Sequence, residues 1–437
     1  MTSPAPPQDG TGLAAEVPRT LTSPAVERLI ARIEHASPGE RAAAVAEFTR
    51  HARENGTPLV EPLPDDPGHC AVTFLWFGHR ATRRVLLLAN RLIDRDHLAG
   101  SLLHRVPDTD IWHLCLRLPS EHRGSYQLVA DISPGPPPAS ADEVQNRLRA
   151  LSRHGEADPL NPHTIPSRWR DAASSVFALP DAPPQPWAER RSGIERGRVE
   201  RHRQRSAALG AERDVWVYLP PGAAPAGGLP VLVLCDGDMW FGELGLQDTL
   251  DALIADRAVP PFAVLAPDAV DNRTRWSELG ARDSYVRFLA DELLPWAAGR
   301  WGITTDPSRT LVSGQSLGAM TALYAGHVRP DRFGHVLAQS ASLWWRPGLA
   351  PGVPKTADGA VPWLVGLVAD AEPRPVTVRL DVGRHEGEMV RQSRALRDAL
   401  LAKGRSVRLT EYHGGHDYAC WRGSLADGLV EVLGTYG

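Results

Sequence analysis

Arg309-Thr310-Leu311-Val312-Ser313, then Gly314-Gln315-Ser316-Leu317-Gly318, then Ala319-Met320-Thr321-Ala322-Leu323-Tyr324-Ala325: a β-prone run, a serine set between glycines and a helix-prone run follow one another without a break. This order predicts a sharp strand-to-helix turn with Ser316 at its apex. Such a turn needs small residues on both sides, because a side chain at 314 or 318 would collide with neighbouring strand or helix backbone. It also sets Ser316 at a helix N-terminus, where free N–H groups favour developing negative charge. Ser316 is therefore a candidate nucleophile, and the Leu317 N–H a candidate oxyanion donor.

Outward from this turn, strand-like runs alternate with helical ones from Asp214 onward. Residues 215–219, 229–234, 262–266, 310–312 and 376–380 are apolar and nearly continuous, the pattern of a sheet covered on both faces. The fold class is α/β, in three layers. A second glycine-rich stretch, Gly414-Gly415-His416-Asp417-Tyr418-Ala419-Cys420-Trp421-Arg422, follows the β-prone run 406–412 and leads into a final helical run. A loop at that point returns over the carboxyl ends of the strands, which makes His416 the candidate general base, with His413 its competitor. The glycines at 414 and 415 are expected to give the backbone freedom to aim the ring. The third member should be a carboxylate after a strand between serine and histidine. Glu386, in the loop beyond 376–380, is preferred, and Asp381 at the strand end is the alternative acid. Two imidazoles without a third nearby ligand do not make a metal site, so neither a metal nor another cofactor is expected.

Upstream the pattern changes. Residues 1–23 begin rich in Pro, Ala, Thr and Gly and read as a disordered tail. Residues 24–131 read as a leading helical region followed by a small Ig-like β-sandwich, from short β-prone runs at 71–77, 84–89, 111–118 and 126–130. Residues 132–189, with proline clusters at 134–138 and 180–186, read as an extended linker. The catalytic domain is then 190–437, opening on an arginine-dense stretch that reads as a solvated hairpin rim.

Composition sets the outer bounds. A chain of 437 residues with formal net charge -4 does not suit a general nucleic-acid binder. It has no apolar run long enough for a membrane span. The N-terminus lacks a basic start followed by an apolar core, so the expected location is the cytoplasm. Cys70, Cys115, Cys235 and Cys420 are widely spaced and form no C-x-x-C pattern.

The chain resembles the enterochelin (enterobactin) esterases, which release iron from ferric catecholate siderophores. The resemblance rests on Gly314-Gln315-Ser316, on Gln339-Ser340-Ala341-Ser342-Leu343-Trp344-Trp345, and on Gly414-Gly415-His416-Asp417 with Cys420-Trp421-Arg422. Cys235-Asp236-Gly237-Asp238-Met239-Trp240 and Arg275-Trp276-Ser277-Glu278-Leu279 add to it, and Val72-Thr73-Phe74 and Arg123-Gly124-Ser125-Tyr126 extend it into the first half. It implies an α/β-hydrolase domain behind an enterochelin-esterase N-terminal domain. It further implies ester hydrolysis through an acyl-enzyme on Ser316, with His416 as base and the acid orienting it. The oxyanion donors would be Leu317 and the turn at Gly237 and Asp238. Arg275, Arg346, Arg422, Trp240, Trp344, Trp345 and Trp421 are the candidate contacts to an anionic, flat-faced ferric siderophore. Leu317, Ala319 and Tyr418-Ala419 depart from the family pattern and leave the particular siderophore open. Two other readings stand beside this one: a serine esterase or acyltransferase for another aryl or acyl ester, and a siderophore-binding protein without catalysis.

Overall fold

The computed structural model describes residues 18–133, 140–169, 171–349 and 359–434. Among the described residues, nine strands precede the larger domain: β1 (Thr20–Leu21), β2 (Leu59–Pro62), β3 (His69–Phe77), β4 (Arg84–Ala89), β5 (His104–Arg105), β6 (Ile111–Pro119), β7 (Arg123–Asp131), β8 (Thr164–Ile165) and β9 (Ser174–Ala178). They form two antiparallel sheets, β1-β6-β3-β2 with β5 beside β6, and β4-β7-β9-β8. Val72, Phe74 and Leu114 from the first sheet meet Val85, Leu87, Tyr126 and Phe177 from the second, so the sheets close on a shared apolar layer.

The leading helical region is two helices, Pro24–Ile33 and Pro38–Asn55. Ser37 starts the second: its side chain caps that helix, Glu40 returns the bond to the Ser37 N–H, and Pro38 occupies the first turn. Val26, Leu29, Ile33 and Ala52 pack with Leu59, Leu75 and Ile111 on the outer side of the first sheet.

Two boundaries differ from the sequence reading. Thr20–Leu21, placed in the tail, pairs with β6. The segment taken as an extended linker contains the helix Ala141–Leu151, capped by Ser140, and both β8 and β9, which complete the second sheet on β7. Proline density breaks structure only where the prolines sit, and 141–151 has none. The proline run 134–138 and residues 1–17 lie outside the described residues.

The larger domain is built on one sheet: β10 (Arg198–Ser206), β11 (Ala211–Leu219), β12 (Val231–Leu234), β13 (Ala263–Pro267), β14 (Thr310–Gln315), β15 (His335–Gln339), β16 (Thr377–Gly383) and β17 (Val407–Tyr412). Their order is β10-β11-β13-β12-β14-β15-β16-β17, and from β13 to β17 every pairing is parallel. The arginine-dense stretch is the edge strand β10, half of an antiparallel hairpin with β11. Every residue of β12, β13 and β14 is buried, and separate apolar clusters cover the two faces, which explains the near-continuous apolar runs. β12 pairs with β13 on one side and β14 on the other, so the chain order reverses there. A crevice opens at the carboxyl ends of strands at such a reversal.

Candidate active site

Ser316 follows the last residue of β14 and precedes the helix Leu317–Val328, with φ 58° and ψ -115°. A non-glycine residue holds such a conformation only when its surroundings impose it. They do so here by close approach: a Cβ at Gly314 would lie 2.4 Å from the Gly318 carbonyl carbon, and one at Gly318 would lie 2.9 Å from Cys235 Cβ. The strand end therefore packs backbone to backbone on the helix start, and the helix start packs on the Cys235 side chain just after β12. Asp236, beyond the end of β12, and Ser340, directly after β15, also have positive φ, at 69° and 50°. Three neighbouring strands thus end in strained non-glycine residues around one crevice. The Ser316 hydroxyl lies 3.0 Å from the Ser342 hydroxyl.

Glu386 and His416 come from the loops after the next two strands, β16 and β17. His416 Nδ1 lies 2.6 Å from Glu386 Oε2, and the carboxylate is fully buried. Its other oxygen accepts from the Ser340 hydroxyl at 2.6 Å and the Gly383 N–H at 2.8 Å. Burial alone would raise this carboxyl. The His416 charge and the bonds from His416, Ser340 and Gly383 outweigh it and hold Glu386 below the ordinary carboxylate range. Asp381, the alternative acid, points elsewhere: its carboxylate accepts from Arg379, which also pairs with Glu431, and burial pushes it up to about 6. His413, the competing histidine, faces Glu121 of the N-terminal domain.

Across the crevice, the turn after β12 is built on charge. Asp236 is fully buried between two arginines, Arg275 through Nε and Nη2 at 2.9 and 2.8 Å, and Arg168 at 3.0 Å. Arg168 also holds Asp238 at 2.8 Å. Burial works against ionisation of Asp236, yet the two guanidinium groups drive its carboxyl far below the usual range. Asp238 opens a π-helical turn, and a Cβ at Gly237 would lie 2.1 Å from the Ala266 carbonyl oxygen. Leu317 is the first residue of its helix, so its N–H has no intrahelical acceptor. A buried amide chain ties these parts together: Trp240 donates to Gln315, Gln315 to Gln339, and Gln339 to the Trp421 carbonyl, each at 2.8 Å.

The residues read as siderophore contacts divide accordingly. Trp240 is buried and spends its indole N–H on Gln315. Trp345 is buried against Gly280. Arg275 is committed to Asp236 and the Gln315 carbonyl. Trp421 is buried, donates to the Ser340 hydroxyl at 2.8 Å and stands edge-on to His416 with ring centroids 4.8 Å apart. These four support the site from behind. Trp344 and Arg422 are half-buried and Arg346 is exposed. Arg422 bonds Gln185 and lines, with Arg53, Arg123 and Glu189, a cleft of about 690 Å³ between the domains.

Sequence reasoning missed Arg168, which lay in the supposed linker, and Ser340, which sat in a matched run without a role. It also misread Gly414 and Gly415. Neither has a positive φ, so neither is there for backbone freedom. A Cβ at Gly414 would lie 2.6 Å from Cys420 Sγ and 2.9 Å from the Arg123 carbonyl oxygen, and one at Gly415 would lie 2.7 Å from Asn90 Oδ1. Arg123 and Asn90 belong to the N-terminal domain. The glycines let the histidine loop lie against that domain.

Comparison with known proteins agrees with this architecture. Residues 206–432 match the model for putative esterases and residues 71–188 the model for the enterochelin esterase N-terminal region. The iron(III) salmochelin esterase of Escherichia coli O6:H1 is 34% identical over 399 residues, covering 89% of this chain and 94% of that protein. The chain belongs to the enterochelin esterase family. The iron(III) enterobactin esterase of Dickeya dadantii is likewise 34% identical, over 86% of this chain and 90% of that one. Among solved structures, the ferric enterobactin esterase of Salmonella typhimurium superposes with a TM-score of 0.76 at 28% identity, over 89% of this chain and 99% of its own. The enterobactin esterase of Shigella flexneri, crystallised in the presence of enterobactin, gives 0.75 at 26% over 90% and 98%. This enterochelin esterase is thus a carboxylic ester hydrolase with both of the family's domains.

Proposed function

We propose that this protein is a serine esterase that hydrolyses the ester backbone of a ferric tricatecholate siderophore in the cytoplasm, with Ser316, His416 and Glu386 as its catalytic set. The observation that carries the reading is a histidine whose Nδ1 is fixed on a buried carboxylate at 2.6 Å, on a loop at the same carboxyl end of the sheet as the strained serine after β14. The relatives named above are esterases of iron(III) enterobactin and iron(III) salmochelin.

With Nδ1 bonded to Glu386, the His416 ring presents Nε2 to the crevice chemistry. Ser316 Oγ attacks the ester carbonyl carbon as its proton passes to Nε2. The tetrahedral intermediate collapses, the C–O bond to the leaving alcohol breaks, and Nε2 returns the proton to that oxygen. Water then attacks the acyl-enzyme, its proton following the same route, and Ser316 is regenerated. Glu386 stays ionised and stabilises the imidazolium. The Leu317 N–H and the Gly237-Asp238 turn supply the oxyanion donors. Arg168 and Arg275 fix that turn through Asp236, and Trp344, Arg346 and Arg422 are the accessible aromatic and cationic groups for the anionic substrate.

Iron is cargo in this scheme. While the ester backbone is intact, each catecholate benefits from the effective concentration set by the other two, and cutting the esters removes that advantage. No helix among the described residues is long and apolar enough to cross a membrane.

The test is chromatography of ferric and iron-free tricatecholate trilactones incubated with the wild type and with Ser316→Ala. The expected result is linear and monomeric catechol amides with the wild type alone. Hydrolysis of simple aryl esters with both trilactones left intact would move the substrate to another ester class.

A further inference from the structure

The His416 ring is fixed by its own domain, but its main chain is held by the other one. Asn90 lies just after β4 in the N-terminal domain. Its Oδ1 accepts from the His416 N–H at 3.1 Å and its Nδ2 donates to the His416 carbonyl at 2.9 Å. The amide thus pairs with both main-chain polar groups of one residue, and this pattern leaves a single orientation for it. Asn90 is itself anchored, its N–H donating to the Ser125 carbonyl of β7 at 2.9 Å. Around this bond the same contact repeats: the Arg123 N–H donates to the His413 carbonyl at 3.0 Å and Cys420 Sγ donates to the Arg123 carbonyl at 3.4 Å. The two residues before His416 are glycines because the loop lies tight on the other domain: a Cβ at Gly415 would meet Asn90 and Arg91.

We propose that Asn90 is a positioning residue for the esterase reaction, holding the His416 main chain so that its imidazole meets Ser316. The proposal rests on the catalytic roles given above to Ser316 and His416. Glu386 at Nδ1 and the Trp421 edge orient the ring, but where Nε2 lies depends also on the main chain that carries it, and the Asn90 clamp fixes that main chain. A misplacement of about 1 Å in such a site costs on the order of 10²-fold in rate. The N-terminal domain is on this account part of the catalytic apparatus, whatever it contributes to substrate binding.

The test uses the full chain carrying Asn90→Ala or Asn90→Asp, with para-nitrophenyl acetate as substrate, because a small ester reports on the machinery without the siderophore contacts. The expected result for Asn90→Ala is a kcat lower by about 10²-fold with KM little changed, and a melting temperature within about 3 °C of wild type. Inactivation by a fluorophosphonate that labels Ser316 should slow in parallel. Asn90→Asp keeps the acceptor for the His416 N–H and loses the donor to its carbonyl, and should fall between the two. A folded Asn90→Ala with kcat within about twofold of wild type would overturn the proposal. So would a large drop in melting temperature with wild-type kcat restored on cooling, which marks a purely structural role. Ser316→Ala and His416→Ala run alongside: if both remain active, it is the underlying catalytic assignment that fails, whatever Asn90 shows.

Discussion

The serine and the histidine of this site are held by different means. Ser316 is fixed inside one domain, by a strand, a helix and the Gly314 and Gly318 contacts. His416 sits on a loop pressed between domains, its ring on Glu386 and its main chain on Asn90. The elbow is a local device and the histidine loop a long-range one. Local devices are readable from a few consecutive residues, whereas a residue 326 positions away leaves no mark on the motif it supports.

The largest effect should come from the elbow itself. Ser316→Ala keeps the backbone path and removes the proposed nucleophile, so kcat should fall by on the order of 10⁴-fold or more with little change in melting temperature. Steady-state assays beside thermal melts check it. Residual activity near wild type would mean that the elbow shapes the crevice without doing the chemistry.

Next in size is the charged turn facing the elbow. Asp236→Asn tolerates the positive φ but leaves Arg168 and Arg275 buried without their anion, a loss of about 3 kcal/mol at neutral pH. The pH dependence has a definite sign. The folded Asp236 carboxyl is depressed, so its contribution is present above the unfolded value near 3.9 and is lost as pH falls through the folded one. Wild type and variant should therefore differ most above about pH 5 and converge under stronger acid. Melts from neutral pH downward would show it, and a gap that stays constant would remove Asp236 from the account.

The contrast also explains what the sequence could and could not tell. The α/β class followed from the apolar strands β12, β13 and β14, each buried on both faces. Ser316, Glu386 and His416, the proposed catalytic set, stood out as candidates because each lies just beyond the end of its strand. β15, with its short run His335–Gln339, was passed over as a strand, although the Ser340 that follows it donates to Glu386. The tryptophans were read as a surface because indole and arginine suit catecholate. The fold instead spends Trp240 and Trp421 on buried hydrogen bonds, a choice that depends on partners at Gln315 and Ser340 that periodicity does not reveal. Proline content hid Arg168 by making its segment look structureless.

Two glycines put the comparison in its sharpest form. Gly314→Ala drives a methyl into the Gly318 backbone, which has nowhere to go, so the expected loss is mainly stability, about 3 kcal/mol. Gly415→Ala drives one toward Asn90 and Arg91, across a domain boundary that can part slightly. Its expected cost is mainly kcat, roughly 30-fold, with a smaller shift in melting temperature. Equal partition between stability and rate in the two variants would erase the distinction between a local and a long-range device.

The smallest effect tests the rear of the site. Trp421→Phe keeps an aromatic edge against His416 and deletes the indole N–H that Ser340 accepts at 2.8 Å. Ser340 still donates to Glu386, but its hydroxyl loses the bond that fixes its direction, and one such bond is worth about 1 kcal/mol. The expected result is a kcat lower by roughly fivefold, because a less firmly held carboxylate orients His416 less well. KM for a tricatecholate trilactone separates this from the role first read in the sequence. A ring that supports the acid from behind leaves KM unchanged, whereas a ring that stacks on a catecholate keeps most of its face in phenylalanine yet loses indole area and raises KM. Unchanged KM with lowered kcat places Trp421 in the machinery; the opposite pattern returns it to the pocket wall and leaves Ser340 and the Gly383 N–H to hold Glu386 without its help.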